Sequence, residues 1–230
     1  MLHVATLPHS TPAQANVQRA VNSSKMRCAV ALCPTRAPFA AHFGGKLLRS
    51  PKSIHHNGKR LSDILDAHEK FIRGDETGTR ADLNGADLSN AGLERANLAY
   101  VDFQNANLEG ARLKEARLSS ANLSNARLCG ADLRRADLTE AHLDGADLTG
   151  AQAGGAELFR ASLRGAILRR ADFGATNFRD ADVTGADFQG ANLKTAILRE
   201  TKLDGVDLSG VDLSTALLPR GYAPPSGSHS

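Results

Sequence analysis

The chain has 230 residues, with no Trp, two Tyr, eight Phe, three Cys and a formal net charge of +3. So few rings exclude an aromatic-rich globular core, and three cysteines scattered at 28, 33 and 129 exclude a disulfide framework. Nine Lys or Arg residues precede the first acid, Asp63, whereas residues 81–220 hold 16 basic and 20 acidic residues; the basic balance therefore belongs to the N-terminus, and no nucleic-acid partner is expected.

Residues 1–60 carry Ser, Thr, Pro, Arg and His without a period and are read as a disordered basic tail. Three origins stay open: an organelle transit peptide, a non-native upstream extension with translation starting at Met26, and a plain basic arm. The cytoplasm is the expected compartment, or an organelle if the tail is a transit peptide. The run CAVALC at 28–33 is shorter than a secretory core of roughly 7–15 residues, and no apolar run is long enough to span a membrane. His55 and His56 beside Lys52 and Lys59 lack further ligands at metal spacing and read as solvated tail.

Residues 61–74 are read as a capping helix. Leu61, Ile64, Leu65, His68, Phe71 and Ile72 fall on one helical face. Ser62 is placed as the N-cap, Asp63 and Asp66 suit the first turn, Lys70 and Arg73 suit the last, and Gly74 is a stop. His68 is read as a packing residue. Residues 75–80 form a lead-in.

From 81 to 220 the chain keeps one frame through 28 pentads. The first position, 81 to 216, is Ala except at Val101, Thr176, Thr201, Val206 and Val211. The central position, 83 to 218, is Leu except at Phe103, Ala153, Phe173, Phe178, Val183 and Phe188. A helix would turn about 500° per pentad and scatter these residues around its axis. A continuous strand would flip every second Ala outward. A short extended piece followed by a bend satisfies the pattern, with Ala and Leu inward and the residue between them outward. Gly or Asn often fills the fifth position, as at Asn90, Asn105, Gly110 and Asn125, which suits the positive φ of a type II turn. The result is a solenoid whose coils pair through backbone bonds.

With Asp or Asn at 82, 87, 97, 102, 107, 122, 132, 137, 147, 172, 177, 182, 187, 192, 207 and 212, the segment resembles the pentapeptide-repeat family, whose pattern is A(D/N)LXX. The resemblance implies an all-β solenoid, a right-handed quadrilateral β-helix of about seven coils with a short N-terminal capping α-helix. Seven coils at strand spacing span roughly 30–35 Å. Stacking at every twentieth residue then sets Ala153 beneath Phe173, which is expected to fill part of the space left by the small residue. Pro219 stops further coil addition, and residues 221–230 are read as a disordered tail.

No catalytic, cofactor-binding or metal site is expected. The Asp residues recur in one slot and read as outward decoration bonding nearby backbone. His142 is the one His in the coils, Cys129 is read as a free thiol in a bend, and no base–nucleophile–orienter set is visible. Arg112, Arg117 and Arg127 break the Asp/Asn column and are expected to pair with Asp132, Asp137 and Asp147 one coil on. Ile197 and Leu217, twenty apart, are expected to stack near the C-terminal end, with Phe159, Arg179 and Arg199 in the bends of the same side. These five residues are the candidate partner surface; Ile167 is a further outward apolar residue. The expected role is a non-enzymatic scaffold for protein–protein interaction, with a homodimer through the C-terminal coil, or a self-assembling rod, as alternatives. The resemblance also implies a third reading, DNA mimicry directed at DNA gyrase, which in such relatives goes with a strongly acidic rod, a C-terminal dimer helix and a protruding loop. None of these three features is present in this sequence.

Overall fold

The computed structural model describes residues 48–222, apart from Ser209. The sequence readings for residues 1–47 and 223–230 lie outside the described residues.

Most pentads account for their five backbone N–H groups in the same way. The central N–H donates to the second-position carbonyl one coil on, as from Leu83 to Asp102 at 2.7 Å. The second-position N–H donates back to the first-position carbonyl of the coil before, as from Asp102 to Ala81 at 3.2 Å. The fifth-position N–H reaches the next coil, as from Gly85 to Gln104 at 2.8 Å, and the following Ala closes the bend, as from Ala86 to Leu83 at 3.0 Å. The fourth N–H has no coil partner and turns to the side chain two residues back: Asn84 donates to Asp82 Oδ1 at 3.0 Å, Thr139 to Asp137 Oδ1 at 3.0 Å and Arg179 to Asn177 Oδ1 at 3.1 Å. The Asp/Asn column therefore satisfies the one backbone donor that coil stacking leaves over.

Parallel bridges join residues twenty apart, from Asp82↔Asp102 to Ile197↔Leu217. Four pentads thus make a coil, and its four sides begin at Asp82, Asp87, Gly92 and Asn97. Every fifth position from 85 to 210 has φ between 54° and 70°, Gly or not. Non-Gly residues there adopt a conformation they reach only at a cost, which coil pairing on both sides must offset.

The first and central columns are buried almost throughout. In residues 171–190 three of four central positions are Phe. Phe173, Phe178 and Phe188 meet edge to face with centroids 5.2 to 6.2 Å apart, and Ala153 lies fully buried one coil before Phe173. Thr176 and Thr201 replace Ala in the first column and remain buried. Their hydroxyls donate to the carbonyls of Ala153 and Phe178, both at 2.8 Å.

The N-terminal end differs from the sequence reading. The tail was expected to continue to residue 60, but residues 48–60 are folded. Arg49 adds a parallel bridge to Ala91 beneath the third side: its N–H donates to Asn90 at 2.9 Å and its carbonyl accepts from Gly92 at 3.0 Å. Its guanidinium reaches Asp87 Oδ2 at 2.8 Å. A 3-10 turn at Pro51–Ser53 leads to buried Ile54, then to a hairpin of β1, His55–His56, and β2, Lys59–Arg60. Helix α1, Leu61–Ile72, follows directly. Its N-cap is Arg60, with no side-chain cap bond, and the Ser62 hydroxyl donates to Asp63 instead. The helix starts two residues earlier than a Ser62 cap requires because the hairpin feeds straight into it.

Buried His68 connects α1 to the first coil. Its Nδ1 accepts from the Ala81 N–H at 3.2 Å, and its ring stacks on Phe71 with centroids 5.8 Å apart. In the lead-in, a side chain at Gly78 would strike the Phe71 backbone at 2.1 Å, so only glycine lets the chain pass that close. At the other end Tyr222, expected in the tail, packs against the core.

Candidate interaction surface

Ile197 and Leu217 sit at the end of the fourth side. They are joined by a parallel bridge, and the Leu217 carbonyl accepts from the Leu198 N–H at 2.8 Å. The adjoining corner stacks Phe159, Arg179 and Arg199 in successive coils, their carbonyls accepting from Glu140 at 2.9 Å, Arg160 at 3.1 Å and Asp180 at 3.2 Å. The five residues thus share one side and its corner. Leu217 is 44 % exposed, whereas Ile197 and Phe159 are half-buried.

One contributor escaped the sequence reading. The Arg160 guanidinium lies 4.8 Å from the Phe159 ring centroid, so Phe159 meets solvent partly through a cation. The signal was available as an outward aromatic followed directly by Arg. Arg179 lies 3.9 Å from Asp180. Ile167 is exposed on the second side, bridged to Asp147 and Asp187, and does not belong to the patch.

Arg112 and Arg127 meet glutamates of the coil before, and Arg117 makes no ion pair with Asp137 among the described residues. Arg112 meets Glu94 at 2.6 Å and Arg127 meets Glu109 at 3.2 Å. Asp132 takes Arg134 instead, at 2.6 Å. The same spacing of 18 recurs in Arg164–Asp182 at 2.9 Å and Arg169–Asp187 at 2.5 Å. A fourth-position side chain leans diagonally onto the second position of the next coil, and this diagonal competes with direct stacking. Such exposed pairs each contribute about 0–1 kcal/mol.

Asp182 is the most heavily bonded carboxylate. Burial pushes its pKa up, but hydrogen bonds from Thr184, Arg164 and Lys202 prevail and hold it well below the usual carboxylate range. Its partners are Thr184 in its own bend and Arg164 and Lys202 in the adjoining coils, so the group is structural. Among the described residues no His, Cys, Asp or Glu cluster is arranged to hold a metal. Cys129 is half-buried, its thiol 3.9 Å from the Asp147 carbonyl, and His142 is bridged between Asn122 and Ser162. No described helix is long and apolar enough to cross a membrane.

The pentapeptide-repeats family matches in eight copies, over residues 79–114, 116–151, 156–194 and 176–214, more than half of the chain. The chain belongs to the pentapeptide-repeat family. Among solved structures it is similar to a trypsin-treated form of QnrB1, a plasmid-mediated fluoroquinolone resistance protein, with 23% identity, 60% of this chain and 71% of that one covered, and a TM-score of 0.54. That likeness shows the shared fold. It is also similar to HetL, a pentapeptide repeat protein involved in heterocyst differentiation regulation from the cyanobacterium Nostoc sp., with 30% identity, 62% and 78% covered and a TM-score of 0.35. A pentapeptide repeat protein from the Arabidopsis thaliana thylakoid lumen shares 34% identity over 40% of this chain and 64% of that one, with a TM-score of 0.39. No curated protein matches.

Proposed function

We propose that this pentapeptide-repeat protein is a non-enzymatic scaffold, a right-handed four-sided β-helix that offers the end of its fourth side to a protein partner. The handedness follows from family membership. The observation that carries the reading is the bridged pair Ile197–Leu217, two aliphatic side chains stacked outward where other sides carry Asp or Asn. Arg199 and Arg179 border the pair with Glu200 and Asp180 beside them, an apolar centre with a charged rim of the kind interfaces use. The test is affinity capture with the full chain and with Ile197→Asp/Leu217→Asp. Loss of a specific partner by the folded variant supports the surface; an unchanged set of partners discards it.

Two further readings each have an observation behind them. In lower coils the central N–H donates to the next coil, but Leu203 and Leu208 have no backbone acceptor among the described residues. A homodimer through the C-terminal coil would pair such groups across two copies, which sedimentation equilibrium would detect as a dimer. The fold is shared with QnrB1, a fluoroquinolone resistance protein, and the family resemblance implies DNA gyrase as another candidate partner. The near balance of 16 basic and 20 acidic residues over 81–220 weighs against it, since a DNA mimic needs a dense negative field. A supercoiling assay in which the protein leaves quinolone inhibition unrelieved would remove this reading.

A further inference from the structure

The chain contains two Asn-Gly pairs, Asn57–Gly58 and Asn84–Gly85. Such pairs can close on themselves: the glycine N attacks the Asn side-chain carbonyl carbon. The two exposed pairs are held very differently. Gly85 N–H is committed to Gln104 at 2.8 Å. The Asn84 amide is held at both ends, Nδ2 donating to Gln104 Oε1 and Oδ1 accepting from Asn105 Nδ2, each at 3.4 Å. Neither nucleophile nor carbonyl is free to rotate without opening the coil.

Asn57 and Gly58 form the two-residue loop between β1 and β2, with φ of 49° and 77°. Asn-Gly is the pair such a loop favours, both residues having positive φ. Gly58 N–H has no backbone acceptor among the described residues, and nothing lies within 4 Å of the position a Gly58 side chain would take. Asn57 Nδ2 lies 3.1 Å from His56 Nε2. We propose that Asn57 is a site of spontaneous deamidation, opened by the hairpin, while the coil protects Asn84.

The step balances with water as the sole co-reactant. Gly58 N loses its proton to solvent and bonds to Asn57 Cγ, closing a succinimide ring. The Cγ–Nδ2 bond breaks, and the departing nitrogen takes a proton from solvent and leaves as ammonia. Water then opens the ring at either carbonyl, giving Asp or isoaspartate at 57. The isoaspartate adds a backbone atom to a loop of two residues, so the pairing of His56 with Lys59 cannot persist. The new carboxylate enters a cleft of about 230 Å³ lined by His56, Lys59, Asp63 and Arg80. The change would act on the cap between buried Ile54 and α1.

The test is mass spectrometry of proteolytic peptides from the full chain, incubated folded and in denaturant. In the folded protein Asn57 is expected to convert at least about tenfold faster than Asn84, whose reaction needs local opening; in denaturant the two rates should converge. Equal rates in the folded protein, or no conversion at Asn57, would overturn the proposal.

Discussion

Thr176 Oγ1 donates to the Ala153 carbonyl at 2.8 Å, from a first-column position that is Ala in most coils. That carbonyl already accepts the bend N–H of Ala156 at 2.9 Å, so the hydroxyl uses its second lone pair. Thr176→Val keeps the shape and buries no new polar group, yet loses this bond. A loss of about 0.5–1.5 kcal/mol is expected in denaturant unfolding, while Thr176→Ser should retain most of the wild-type stability.

The same Ala153 carries a packing prediction. It lies beneath Phe173, whose ring is fixed by contacts with Phe178 and Phe188. Ala153→Leu restores the consensus residue but adds volume to an occupied layer. It should destabilise by about 1–3 kcal/mol, and Phe173→Leu in the same chain should recover part of that. A marked rise in the melting temperature of the single variant would show that the space is empty.

The Asp/Asn column makes a paired prediction. Asp172 Oδ1 accepts from the Gly174 N–H at 3.0 Å and from Asn192 Nδ2 at 2.7 Å. Asp172→Ala leaves both donors to solvent and should cost about 1 kcal/mol in chemical denaturation. Ile197→Asn runs the other way, because it offers the Arg199 N–H the side-chain acceptor that Ile197 lacks. Its stability should stay within about 0.5 kcal/mol of wild type. Loss of partner capture by that variant therefore reports on the surface and not on unfolding.

The bend in every pentad was legible because its period excludes helix and strand alike; the twenty-residue coil, and with it the Ile197–Leu217 stack, came from the family resemblance. The pairing of Arg112 with Glu94 was not legible: stacking arithmetic finds residues directly above, but a fourth-position side chain leans diagonally. The fold of residues 48–60 was hidden for a different reason. A strand of one or two residues has no period to read, and Arg49 finds its partner, Ala91, 42 positions away. Asp82 read as outward decoration; that it completes the backbone bonding of Asn84 emerges only when every other N–H in the pentad has been assigned.

His68 gives the pH prediction. Burial pushes its pKa below the ordinary 6.5, against smaller upward pulls from the Ala99 backbone and Glu69, and Arg80 adds to the lowering. The imidazole must stay neutral for Nδ1 to accept from Ala81 N–H. A group with a lowered folded pKa binds fewer protons when folded, so its contribution is fully present above the unfolded value and is lost as pH falls below it. Thermal stability should therefore be level above pH about 7 and decline as pH falls through about 6, before most carboxylates titrate. His68→Gln can keep an acceptor for the Ala81 N–H without titrating. It should start less stable at pH about 7.5, with the packing against Phe71 reduced, and lose less between there and pH about 5.5. Parallel pH profiles for the two proteins would show that His68 is not the group responsible.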